Sequence, residues 1–120
     1  MRRALALGSL VVIGACSEAD AQECATKPIA ELVTASEAAF KRFNNNKEFT
    51  SPLAELTPRA SGFSYQANIP IWVGTLEVID KTGTVVASLI PQVHCNGGVE
   101  FSIEWRRRAD GSIESGLGGS

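Results

Sequence analysis

The chain carries two hydrophobic rhythms, and the switch between them lays out a fold. From Ile29 onward the apolar positions recur at helical spacing. Ile29, Leu32, Val33, Ser36, Phe40 and Phe43 share one face, and Glu31, Glu37, Lys41 and Arg42 lie mainly away from it. This pattern predicts an amphipathic helix from about Pro28 to Phe43. Thr26 or Lys27 can serve at its cap, and Pro28 suits the first turn, where a missing N–H costs nothing. Glu37–Lys41 is a favourable i,i+4 pair. Asn44-Asn45-Asn46 ends the helix, because Asn tolerates turns and left-handed geometry. Lys47 to Gly62 has no clear period. Within it Ser51-Pro52 and Leu53-Ala54-Glu55-Leu56 fit one or two helical turns, stopped by Pro58. A loop of this length in a small domain is usually functional or mobile.

Beyond Gly62 the period is two. Phe63, Tyr65 and Ala67 alternate with polar neighbours, and Pro70 marks an edge or bend. Ile71–Ile79 reads as a strand with Trp72, Leu76 and Val78 on one face and Gly74 between them. Asp80-Lys81-Thr82-Gly83 is a turn. Thr84–Ile90 is a third strand, which Val93–Cys95 continues past a kink at Pro91. Asn96-Gly97-Gly98 is the strongest hairpin signal. In the strand that follows, Val99, Phe101, Ile103 and Trp105 are expected to face in, and Glu100, Ser102, Glu104 and Arg106 out. Asp110-Gly111 turns again. The expected fold is α+β: one N-terminal amphipathic helix packed on an antiparallel meander of about four strands. Pilin-like and cystatin-like domains resemble this arrangement, a likeness of fold type that carries no function.

Ahead of these elements, Arg2 and Arg3 precede an uncharged run from Ala4 to Ile13 and a small-residue zone, Gly14-Ala15-Cys16. A basic start, a short apolar run and a small-residue cleavage zone describe a secretory signal peptide. The run is too short for a stable membrane-spanning helix, which takes about 20 residues. Val12-Ile13-Gly14-Ala15-Cys16 resembles the lipobox of bacterial lipoproteins. That resemblance implies cleavage before Cys16 and a diacylglycerol on its thiol, hence a membrane anchor. Ser17 in the next position, rather than an acidic residue, implies outer-membrane sorting in a Gram-negative cell. The rival site is Ala19-Asp20-Ala21, an A-x-A form cut before Gln22, which releases an unlipidated protein. The expected organisation is a signal peptide at 1–15, a tether at 16–23, one α+β domain at 24–114 and a flexible Gly- and Ser-rich tail at 115–120.

Removal of Arg2 and Arg3 from eleven basic side chains leaves nine against thirteen acidic ones, a net charge of about −4. An acidic domain of about 100 residues is a poor match to nucleic acid or anionic lipid, and both are discounted as partners. Of three cysteines, a lipidated Cys16 leaves Cys24 and Cys95 as an even pair in an oxidising compartment, so a Cys24–Cys95 bridge is expected.

Candidate chemistry is sparse. His94 is the only histidine, and its neighbour Cys95 points to the opposite face of a strand, so the two do not make a dyad. One His and an oxidised cysteine leave no zinc set, and no calcium-loop pattern occurs; no metal or cofactor is expected. Glu100 and Glu104 stand about 13 Å apart along a strand, too far for a glycosidase pair, which needs roughly 5–9.5 Å. Arg106-Arg107-Arg108 is the one basic cluster. Alternation sends Arg107 to the other face, leaving Arg106 and Arg108 as the possible partner-binding residues. Trp72 and Trp105 read as core. These residues favour a non-catalytic envelope lipoprotein that binds another protein or a wall or membrane component. A soluble hydrolase inhibitor acting through the Lys47–Gly62 loop is the alternative, and a small enzyme using His94 comes third.

Overall fold

Three hairpin turns of one design fold the second half of the chain into a meander. In Asp80–Thr84, His94–Gly98 and Arg108–Ser112, the first residue's N–H donates to the fifth residue's C=O at 2.9, 2.8 and 2.8 Å. The fourth residue is each time a glycine at positive φ (Gly83 88°, Gly97 98°, Gly111 90°) whose N–H returns to the first residue's C=O. A three-residue loop with its left-handed position filled by Gly matches the twist of the flanking strands. An Asp or Asn stiffens each turn. Asp80 Oδ1 accepts the Thr82 and Thr84 N–H groups and the Thr82 hydroxyl, Asn96 Oδ1 accepts the Gly98 N–H, and Asp110 Oδ1 accepts the Ser112 N–H and hydroxyl. Hydroxyl donation, from Thr82 and Ser112 respectively, lowers the pKa of Asp80 and Asp110 from the usual carboxylate range.

The computed structural model describes residues 23–43, 49 and 51–116. The expected signal peptide, Cys16, the tether up to Gln22, the Asn44–Asn46 stop and the tail from Leu117 lie outside the described residues. A helical turn at 23–25 leads into helix α1 (Ile29–Arg42). A short 3-10 turn, Leu53–Glu55, precedes strands β1 (Thr57–Gln66), β2 (Ile71–Ile79), β3 (Val85–His94), β4 (Val99–Arg107) and β5 (Ile113–Ser115). The strands lie side by side in sequence order, every neighbour antiparallel. Helix α1 covers one face and lies chiefly against β1. Its buried side chains are Leu32, Ser36, Ala39 and Phe40.

Two packed clusters fill the space between helix and sheet. Phe40, Phe49, Leu56, Leu76, Val78 and Leu89 centre the larger; Cys24, Leu32, Trp72 and Val93 form the smaller, and Phe63 touches both. Gly74 exists for Phe63: a β-carbon there would run into the Phe63 ring. Opposite Gly74, Pro91 lies fully buried inside the central strand β3. It is tolerated because the β2–β3 ladder skips from Val73↔Gln92 to Leu76↔Leu89, and the missing Pro91 N–H falls in that gap.

The fold class agrees with the α+β expectation at that level, and several finer points change. The sheet has five strands, not about four. β5 is only three residues long, too short for a period to show, and it is held by the Arg108–Ser112 turn. Ser115, expected in the flexible tail, pairs with Trp105. The helix is not the N-terminal amphipathic element expected. The turn at 23–25 comes first, Ile29 is 48% exposed, and two of the four buried positions are the small Ser36 and Ala39, which let the helix lie close on β1. The irregular stretch is shorter than predicted, because Thr57–Gly62 belongs to β1; Pro58 within it and a bulge between Ser61 and Ser64 at Gly62 hide the alternation. In β4 a register shift between Ile103 and Trp105 swaps the faces: Trp105 pairs with Ser88 and joins neither cluster, and Arg106 pairs with core residue Ala87.

Candidate functional site

The expected cysteine pair is joined. Cys24 and Cys95 form a disulfide with a Cα–Cα distance of 5.4 Å across 71 residues. It ties the turn before α1 to the β3–β4 hairpin. Cys24 is buried, and its carbonyl accepts a hydrogen bond from the Trp72 indole at 2.7 Å. Trp72 is thereby a core residue with its one polar atom satisfied. Glu23, Cys24, Lys27, Cys95 and Asn96 line a shallow recess of about 280 Å³ beside the bridge.

Arg106 and Arg108 are brought together by a residue the sequence reading passed over. Glu114 on β5 accepts Arg106 Nε at 2.9 Å and Arg108 Nε at 3.3 Å. Hydrogen bonds from Arg106 first and Arg108 second hold its carboxyl below the usual range. Arg106 is the more enclosed (19% exposed), and Arg108 the more open (56%). Arg107 turns away, and its guanidinium lies 3.5 Å from the Gly111 carbonyl. The one signal for Glu114 was the position of an acid three residues past the Asp110-Gly111 turn, where a returning strand meets Arg106.

His94 lies 3.3 Å from Glu100, at the far end of the outer sheet face. Glu104 instead accepts a hydrogen bond from the Ser88 hydroxyl at 2.9 Å. The two glutamates thus serve separate partners. Among the described residues, no group of three or more His, Cys, Asp or Glu side chains is placed to hold a metal ion, and no helix is long and apolar enough to cross a membrane. Two polar groups of α1 shape the β1 side. Glu37 accepts the Ala60 backbone N–H at 3.0 Å, and the fully buried Ser36 hydroxyl meets no partner among the described residues.

Comparison with protein-family profiles, with characterised proteins and with solved structures finds no match to this chain.

Proposed function

We propose that this is an exported envelope lipoprotein, anchored through a lipid on Cys16, whose domain is a non-catalytic module binding another protein or a wall component. The Cys24–Cys95 bridge is the observation that carries the reading. It accounts for two of three cysteines and leaves Cys16, inside Ile13-Gly14-Ala15-Cys16, as the odd one. A disulfide between distant positions also fits an oxidising compartment. Lipid anchoring by more than one acyl chain is stable, since each buried methylene contributes about 0.8 kcal/mol. Seven residues separate Cys16 from Cys24, and the eight steps reach at most about 28 Å, so the disulfide end of the domain is held near the membrane. Arg106 and Arg108 belong to the reading as contact residues. Arg108, the more exposed of the two guanidiniums on Glu114, is the group offered to an acidic partner at the β4–β5 end.

Intact mass and fractionation test this. A mature chain beginning at a lipid-modified Cys16, held in the membrane fraction and released to the soluble fraction by Cys16→Ser, is the expected result. A chain beginning at Gln22 with no added mass sinks the anchor and favours a free inhibitor.

A further inference from the structure

We infer that the outer edge of β4, from Val99 to Ile103, is a docking strand for an extended peptide with alternating apolar and basic side chains. The inference rests on the binding-module reading and gives it a surface.

The backbone argument comes first. The His94 N–H donates to the Gly98 C=O, so Gly98 points toward β3. By alternation Glu100 and Ser102 also point toward β3, and Val99, Phe101 and Ile103 present their N–H and C=O groups outward. Among the described residues, β5 pairs only with Trp105, Arg106 and Arg107, and the Gly116 N–H reaches back to the Glu104 C=O. A side chain at Gly116 would collide with the Ile103 C=O, which marks where β5 ends against β4. Among the described residues no strand lies beside the stretch from Val99 to the Ile103 N–H, and such an edge is a template for strand addition.

The side chains define the guest. On the helix side, Val99, Phe101 and Ile103 are only partly buried, whereas Leu76, Leu89 and Val93 on β2 and β3 are fully buried. The core therefore ends at β4 in an apolar shelf that a guest's apolar residues would extend. On the outer face, Glu100 (70% exposed) and Glu104 flank Ser102. Two acids four residues apart call for two basic residues four apart on the guest strand. The same acids disfavour a second copy as the occupant. Self-pairing centred on Phe101 or Ser102 sets a glutamate of one copy directly or diagonally against a glutamate of the other.

The test uses the full chain, purified from whichever fraction holds it, and the acetylated hexapeptide Lys-Val-Thr-Ile-Lys-Val. Two control peptides carry Glu for both Lys residues, or N-methyl groups on the Val and Ile amides that would face β4. NMR should show the Val99, Phe101 and Ile103 amides shifting with the first peptide and with neither control. Affinity should fall with added salt, and by roughly tenfold or more in Glu100→Gln/Glu104→Gln. Equal binding of the N-methylated peptide, or shifts confined to the Arg108 end, overturns the inference. So does a chain that self-associates through these amides, or one whose Val99 and Phe101 amides are already protected by its own tail. A soluble chain that binds the peptide refutes the anchor and keeps the edge; a membrane-held chain that ignores it does the reverse.

Discussion

At the β1 edge the outward donors of the first half of the strand are removed or satisfied, and at the β4 edge those from Val99 to Ile103 meet no partner among the described residues. Ala60 points outward, since its N–H reaches Glu37 on the helix, and Pro58, two residues earlier, has no N–H to offer. An Arg59–Glu77 ion pair at 2.8 Å and the bulge at Gly62 add charge and twist to the same strand. Pro, charge, a bulge and a covering helix are the known means of blunting an edge. Among the described residues β4 has one guard, the three-residue β5, and it covers only the C-terminal third. One sheet thus blunts the first half of its β1 edge and, among the described residues, leaves β4 uncovered from Val99 to the Ile103 N–H, and the proposed docking strand rests on that asymmetry.

The largest expected disturbance of this comparison is loss of the disulfide. Cys95 sits in the hairpin that launches β4, so the bridge steadies the open edge at its Val99 end. In the chain-entropy model a closed loop of 71 residues is worth about 4 kcal/mol. Cys24→Ala/Cys95→Ala should lose roughly that much in urea unfolding. Hydrogen exchange should then quicken at Glu100 and Ser102, whose amides point toward β3 at that end, well before Ala60. Uniform quickening at both edges would show that the bridge stabilises the sheet as a whole.

Glu37→Ala tests the guarded side. It strands the Ala60 N–H in a partly buried site, at a cost of about 1–2 kcal/mol. Glu37→Gln keeps an acceptor and should cost less. If the carboxylate is what closes this edge, the alanine variant also gains concentration-dependent self-association in sedimentation, and the glutamine variant does not. A smaller effect of opposite sign is expected one position earlier. Ser36 buries a hydroxyl without a partner among the described residues, so Ser36→Ala should stabilise the chain by about 1 kcal/mol, read as a higher unfolding midpoint. An unchanged or lower midpoint would mean that the hydroxyl is satisfied in solution.

These residues also show what the sequence could disclose. Strand β2, the Asn96-Gly97 hairpin and the Cys24–Cys95 pair were legible because each is written in local chemistry: a period of two, a Gly at a left-handed position, an even thiol count. The edges were not. β1 hides its first half behind Pro58 and Gly62, residues that usually stop a strand and here sit at its rim and bulge. β5, at three residues, is too short to show two repeats of its own pattern. The face swap at Trp105 needs knowledge of the partner strand, because a bulge is a property of a pair. Glu37 and Glu114 act across 23 and 8 residues on groups that only the fold brings near. The candidate contact pair Arg106 and Arg108 was visible as a charge cluster, but the carboxylate between them was not.

The smallest expected effect separates β5 from the rest of the sheet by pH. Glu114 is held below the usual carboxylate range by Arg106 and Arg108, so its proton affinity is lower folded than unfolded. A depressed folded pKa contributes stability that is present above the unfolded value, about 4.5, and is lost as pH falls through the lower folded value. Acidification from pH 6 toward 3 should therefore release β5 by removing the charge that clamps it. The Arg106, Glu114 and Gly116 amides should lose protection while Leu76 and Leu89 keep theirs. Asp110 is depressed as well, and its loss loosens the turn that launches β5 in the same direction. Glu114→Gln isolates the clamp: it should show the freed β5 already at pH 6, with the Asp110 turn intact. Because β5 is the sole guard on β4 among the described residues, this variant should also lengthen the open edge toward Arg107. The same lysine peptide should then shift the Arg106 amide, which faces β5, in addition to Val99, Phe101 and Ile103. If β5 stays protected in Glu114→Gln, the hairpin turn alone holds it, and the length of the open edge is fixed by the backbone and not by charge.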